Sequence, residues 1–170
     1  LASAKIFQEN GYQVLILDRD ESALNASAAE FSEAYPMLFD VSDPQAGDVI
    51  AKEIMDKFGR LDSLVNNAGV ASFEPIEKIN NETWHQVMAT NLDGVFYLTQ
   101  AVTPILKQTK GAIVNISSIS GLRASALRVA YGTSKAAVMQ LTKQQAVELG
   151  EYGIRVNAVA PGPVRTKLAI

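Results

Sequence analysis

The sequence predicts an α/β fold, a doubly wound parallel sheet, and three observations carry that reading. Short apolar runs of strand length recur along the chain. Stretches of helical period lie between them. Strand and helix alternate from one end to the other, which implies parallel strands joined by right-handed crossovers.

The first helix spans 1–10, and Gly11-Tyr-Gln-Val-Leu-Ile-Leu-Asp18 follows as an apolar run ending in an acid. A helix over 21–34 leads to Met37-Leu-Phe-Asp-Val41. Asp43-Pro44 then offers an acid cap and a first-turn proline for a helix over 43–58, with Gly59 as its stop. Leu61-Asp-Ser-Leu-Val-Asn66 is the next strand, and a long helix covers 80–108 before Gly111. Gly111-Ala-Ile-Val-Asn-Ile-Ser117, a helix over 125–151 and Ile154-Arg-Val-Asn-Ala-Val-Ala160 complete the series. Continuous apolar runs of this kind suit strands buried on both faces.

All 170 residues fit one domain, 1–170, and an apolar share of 48% is enough for a packed core. A net charge of −3 without a basic block argues against nucleic acid as a partner. The absence of cysteine removes disulfides and thiol catalysis. No apolar run approaches the ~18 residues of a membrane span, so a cytoplasmic protein without membrane contact is expected. His85, the lone histidine, has no second ligand nearby and reads as a plain helix residue; no metal site is expected.

Tyr131 and Lys135 are the most informative pair. Four residues make one helical turn, so a phenol and an ammonium share a face. A free phenol, with a pKa of about 10, is a poor base at neutral pH. A fixed positive charge beside it favours the phenolate. Ser118, at a strand end thirteen residues earlier, can hold a substrate oxygen beside that phenol. Together they could move a proton on or off a hydroxyl. The plain alternative is a half-exposed helix face.

Four further stretches stand at fitting distances: Asn66-Asn-Ala-Gly69, Thr90-Asn-Leu-Asp-Gly94, Asn115-Ile-Ser-Ser118 and Pro161-Gly-Pro-Val-Arg-Thr166. In joint order and spacing with Tyr131-Gly-Thr-Ser-Lys135, the chain resembles the short-chain dehydrogenase/reductase family over nearly all its length. The resemblance implies a Rossmann-type fold, hydride transfer between NAD(H) and a secondary alcohol or ketone, and the catalytic set Asn91, Ser118, Tyr131 and Lys135. Lys135 would hold the nicotinamide ribose, and Asn91 would order a water that relays protons to it. Asn91 also reads as a helix kink, because asparagine competes for backbone hydrogen bonds.

Further cofactor contacts follow. Asp18 would take both hydroxyls of the adenosine ribose and repel a 2′-phosphate, favouring NAD over NADP. Arg19, the next residue, could instead pair with that phosphate, and Asp18 could simply be a solubilising acid. Asp40 and Val41 would contact adenine, or Asp40 could serve a turn. Asn67, Ala68 and Gly69 would lie along the ribose, while Asn66 would tie strands together. Pro161, Gly162, Val164 and Thr166 would turn over the nicotinamide and bind its carboxamide, against a plain loop.

The resemblance also implies a partial chain. The first strand with its phosphate-binding glycines, the substrate-covering segment and the last strand are expected to lie outside it, leaving the sheet incomplete at both ends. The expected parent is a homo-oligomer, dimer or tetramer, joined through the long helices, with Phe96, Tyr97, Val102 or Leu141 contributing. Arg123 and Arg128, between Ser118 and Tyr131, could flank a polar substrate or be solvated. A polyol or secondary-alcohol dehydrogenase is the leading expectation. An NADPH-dependent 3-oxoacyl-carrier-protein reductase is the alternative, and an idle nucleotide binder or inactive fragment the third.

Overall fold

The computed structural model describes residues 2–31 and 34–164. The chain divides into two compact units, Leu1–Asp40 and Val41–Ile170.

The first unit runs α1 (Ala2–Glu9), β1 (Val14–Asp18), α2 (Glu21–Ala28) and β2 (Ala34–Leu38). β1 and β2 pair in parallel, from Val14 opposite Ala34 to Asp18 opposite Leu38. Asp20 caps α2, its Oδ1 accepting the Ala23 N–H at 3.0 Å. β2 begins three residues before the expected Met37, and it contains Pro36. Proline lacks a donor and usually marks a break, but one free strand edge tolerates it. Phe39 N still bonds Asp18 O at 2.9 Å, so the pairing outlasts the strand by one residue.

The second unit contains α3 (Ala46–Phe58), β3 (Ser63–Asn66), α4 (Asn81–Met88), α5 (Gly94–Thr109), β4 (Ala112–Ile116), α6 (Val129–Gly150) and β5 (Arg155–Val159). Its sheet is parallel with β4 in the middle, Asn66 opposite Asn115 and Asn115 opposite Ala158. Ile113 and Asn115, two residues apart on β4, are fully buried on one face. Val102 and Leu106 of α5 and Val138 of α6 join them in the core, with Ile50 and Ile54 from α3. Alternation on β4 is clear: Ala112, Val114 and Ile116 are only half-buried. Among the described residues one face of β4 is thus more deeply buried than the other.

Other boundaries also differ from expectation, α2 ending at Ala28 and not at 34. Asp43 Oδ1 accepts the Gln45 N–H at 2.9 Å, a local turn, and α3 starts only at Ala46. Gly59 does end α3, at φ 66°. α5, however, ends on Lys110 at φ 53°, not on Gly111. Gly111 is small for another reason: a Cβ there would stand 2.7 Å from Asp62 O and 2.6 Å from Leu106 Cδ2. α6 starts at Val129, four residues late, because Leu127 at φ 62° cannot be helical. Val102, expected at a subunit contact, is 0% exposed and belongs to the core.

Gly111→Ala tests this packing. The added methyl overpacks a backbone carbonyl, at a cost of about 1–3 kcal/mol. A melting temperature lowered by several degrees is expected in differential scanning calorimetry of the intact protein. An unchanged melt would show that α5 and β3 can move apart freely.

Candidate active site

β4 and α6 bring Ser118, Tyr131 and Lys135 to one place. Residues Ile119–Gly121 form a 3-10 turn directly after β4, and this segment lies against the first turns of α6. Four contacts fix it. Lys135 Nζ donates to Ile116 O at 2.8 Å. Ser117 Oγ donates to Lys135 O at 2.7 Å. A Cβ on Gly121 would stand 2.8 Å from Lys135 C, and one on Gly132 would stand 3.0 Å from Ser120 O. Only glycine permits backbones to approach so closely.

All three side chains are buried, Ser118 at 8%, Tyr131 at 8% and Lys135 at 4% exposure. Ser118 Oγ accepts the Ser120 N–H at 3.2 Å. Lys135 Nζ lies 5.9 Å from the centroid of the Tyr131 ring. Burial pushes the Lys135 ammonium down to about 8, because removal from water disfavours the charged form.

Asn91 joins this group from a widened helical turn. Ala89–Asp93 is π-helical between α4 and α5, and Gly94 N–H bonds Ala89 O across it. The expected kink is thus a π-turn. Asn91 is 0% exposed, and its amide is fully engaged. Oδ1 accepts the Val70 N–H at 2.8 Å, and Nδ2 donates to Val70 O at 2.9 Å and Ser134 Oγ at 3.0 Å. Ser134 Oγ donates in turn to Tyr131 O at 2.7 Å. The side chain therefore ties the loop after β3 to the turn of α6 that carries the tyrosine.

Gly69 sits in that loop. A Cβ there would be 3.4 Å from Lys135 Nζ and 3.4 Å from Asn91 Oδ1. Asn67 and Ala68 beside it are exposed. Asn66 Nδ2 donates to Asn115 Oδ1 at 2.8 Å, the strand tie expected of it. Pro161 O accepts the Ile119 N–H at 3.0 Å, so the segment after β5 is anchored beside Ser118, while Gly162 and Val164 are exposed. Thr166 lies outside the described residues. Val41 packs on the start of α5, where a Cβ on Gly94 would stand 2.9 Å from Val41 O.

Two expected residues belong to the first unit. Asp18 is exposed at the end of β1, its Oδ1 accepting the Asp20 N–H at 3.0 Å. Arg19 Nη1 lies 3.8 Å from Asp40 Oδ2, so that carboxylate and that guanidinium face each other.

Ser117, Gly121, Gly132 and Ser134 were not singled out from sequence. Ser134 lies three residues after Tyr131, a helical spacing that could have shown it. Gly121 and Gly132 flank the tyrosine segment, where paired glycines signal close backbone contact.

A sequence profile described as short chain dehydrogenase matches residues 1–170. A 3-oxoacyl-[acyl-carrier-protein] reductase of Thermotoga maritima is 36% identical over 98% of this chain and 70% of its own length. An L-fucose dehydrogenase of Bos taurus is 35% identical over 96% of this chain and 61% of its own. Among solved structures, an NAD⁺-bound xylitol dehydrogenase superposes with a TM-score of 0.90 at 33% identity, covering 95% of this chain and 65% of that one. A gluconate 5-dehydrogenase of Burkholderia cenocepacia in complex with NADP and tartrate gives 0.88 at 33% identity, covering 97% and 67%. The chain thus spans about two thirds of the length of these relatives. With the match extending over the whole sequence, this chain belongs to the short-chain dehydrogenase family.

Proposed function

We propose that the intact protein is an NAD(H)-dependent oxidoreductase acting on a secondary alcohol or its ketone, a polyol dehydrogenase or a near relative. The observation that carries this reading is the buried juxtaposition of Ser118, Tyr131 and Lys135, clamped by Ser117 and Ile116.

The residues present fit a nucleotide. Space beside the Lys135 ammonium is kept open by Gly69, where a Cβ would stand 3.4 Å from Nζ. Lys135 would hold the nicotinamide ribose with the donors that Ile116 O leaves over. Asn67, Ala68 and Gly69 would line that ribose, and Asp40 and Val41 the adenine. Pro161, Gly162, Val164 and Thr166 would contact the nicotinamide end. The nucleotide, when bound, supplies the two-electron redox chemistry.

Ser118 Oγ and the Tyr131 hydroxyl hydrogen-bond the substrate oxygen and hold its carbon in place. Tyr131 accepts the hydroxyl proton during oxidation and returns it during reduction. The Lys135 ammonium stabilises the phenolate that accepts the proton in oxidation and that remains after the proton is given in reduction. Asn91 holds the Val70 loop and Ser134, and through them the lower turn of α6, in the geometry this requires.

NAD over NADP is supported by Asp18, exposed where β1 ends, and by Arg19, whose guanidinium is turned to Asp40. A 3-oxoacyl-carrier-protein reductase is the second reading, favoured by the 36% identity to the Thermotoga maritima enzyme. We take the protein to be a homo-oligomer, with Phe96 and Val147, exposed on α5 and α6, as contact residues. Among the described residues no helix is long and apolar enough to cross a membrane, and the cytoplasm remains our proposed location.

Three outcomes test the reading in the intact protein. Tyr131→Phe should reduce kcat at least about a hundredfold, the scale of general acid–base catalysis, with NAD affinity kept. Retention of a tenth of kcat would remove Tyr131 from the chemistry.

Lys135 is charged below about pH 8 and neutral above it. NAD affinity, measured by calorimetry between pH 7 and 9.5, should fall as pH rises through that value, because the ribose loses a charged donor. Lys135→Arg stays charged and should flatten the curve. A wild-type affinity independent of pH would mean that Lys135 does not grip the nucleotide as an ammonium.

Asp18→Ala should lower the preference for NAD over NADP, mainly by raising the KM for NAD. If the wild type already favours NADP in kcat/KM, Arg19 governs the choice.

A further inference from the structure

We infer that Arg128, seated over the Phe73 ring, is the substrate-recognition residue of this site and that it selects substrates carrying a carboxylate near the reacting carbon. The inference rests on the reaction proposed for Ser118, Tyr131 and Lys135 and adds a substrate class to it.

Arg128 is the N-cap residue of α6, at φ −124° and ψ 27°, and Tyr131 and Lys135 follow it on the first two turns. The segment from 128 to 135 rises about 10 Å at about 1.5 Å per residue. The loop after β3 runs beside it. Gly69 meets Lys135 at one end, where a Cβ would stand 3.4 Å from Nζ. Val70 is held by Asn91 at 2.8 and 2.9 Å. Phe73 meets Arg128 at the other end, 4.6 Å from ring centroid to Cζ. Tyr131 lies between these two contacts. If Lys135 holds the ribose, the cofactor occupies the Lys135 end, and the substrate extends from the Tyr131 hydroxyl toward the Arg128 end.

Arg128 differs from the other arginine of its loop. Arg123 is exposed, whereas Arg128 is half-buried. Among the described residues, no carboxylate lies within ion-pairing distance of Arg128; Arg19 and Arg60 do have such partners. The aromatic ring satisfies one face of the guanidinium. The N–H groups lie in the plane of that group, and their fork matches the two oxygens of a carboxylate. Leu127, immediately before, is held at φ 62°, a conformation leucine rarely takes. The chain is thus constrained just where the arginine is delivered. Three residues, a rise of about 4.5 Å, separate Arg128 from Tyr131. The carboxylate would then lie within a few carbons of the reacting centre, as in a hydroxy acid or keto acid.

The test compares acetoacetate with the uncharged 4-hydroxybutan-2-one, of similar length, in the intact protein with NADH. Wild type should prefer the acid at least about tenfold in kcat/KM, the scale of one charge-assisted hydrogen bond. Arg128→Gln should lose that preference through a raised KM for the acid, with kcat/KM falling at least about tenfold further on the acid than on the neutral ketone. Arg128→Lys, which keeps the charge without the fork, should recover part of it. Calorimetry with both compounds gives binding independently of turnover and should show the same dependence on Arg128. Equal losses on both ketones, or a wild type indifferent to the charge in both measurements, would overturn the inference. Should the neutral ketone be reduced in a Tyr131-dependent manner without any acid preference, the reaction assignment stands and only the carboxylate falls. Should the acid bind through Arg128 while Tyr131→Phe remains active, the reverse holds.

Discussion

The rest of the site depends on a buried amine being pulled against a strand end. Lys135 is 4% exposed, and a buried ammonium needs a partner that water no longer supplies. Ile116 O, at the end of β4, is that partner. The reciprocal bond, Ser117 Oγ to Lys135 O, makes the contact a two-point one. Between them they set both the distance and the rotation of α6 relative to β4. Ser118 follows Ser117, and Tyr131 precedes Lys135 by one turn, so their approach is a consequence of this clamp. Gly121 and Gly132 complete it, since a methyl at either would collide with backbone.

A second polar layer carries the clamp's alignment into the sheet. Asn66 and Asn115 stand opposite each other on β3 and β4, and their side chains bond at 2.8 Å. Asn115 also donates to Thr142 Oγ1 at 2.9 Å and Gln145 Oε1 at 3.1 Å, both on α6. Asn66 reaches Thr99 of α5 at 3.4 Å. Apolar packing tolerates sliding, whereas a buried amide without its partner costs about 1–3 kcal/mol. A slip of one residue in β3 would move Asn66 to the other face and break the layer. Registry between the strands and both helices is therefore specified chemically, close to where the reactive groups are displayed.

Much of this was legible in the sequence because period and punctuation are local. Strand–helix alternation, Gly59 as a stop and the Tyr131–Lys135 face all follow from spacing of a few residues. So did the strain at Asn91, although nothing in the chain distinguished a kink from a π-turn. What escaped was set by tertiary contact. The strand expected from Met37 begins at Ala34 and includes Pro36, because whether a strand edge is free cannot be seen from within the strand. Val102 reads as an outer apolar residue of a long helix, and only the packing of α5 on the sheet makes it core. Ser117 and Ser134 are ordinary serines until the helix and strand they join are in place. The left-handed Leu127 carries no sequence signal, since leucine is not a residue that favours such a turn.

The π-turn shows why a poor helix residue stands in the middle of a long helix. Asparagine there weakens the regular i to i−4 ladder, and the widened turn gives its amide room to leave the helix. The amide then takes both the N–H and the carbonyl of Val70, the pattern a neighbouring strand would offer. A loop that lacks sheet partners of its own thereby acquires backbone pairing at one residue. Three residues further, Phe73 is fixed against Arg128. The loop is thus pinned at Val70 by Asn91 and at Phe73 by Arg128. The local cost of Asn91 to its helix is thus offset by order in a segment that no secondary structure stabilises. That order holds Gly69 against Lys135 and Phe73 against Arg128, the residues on either side of Tyr131 in the chain.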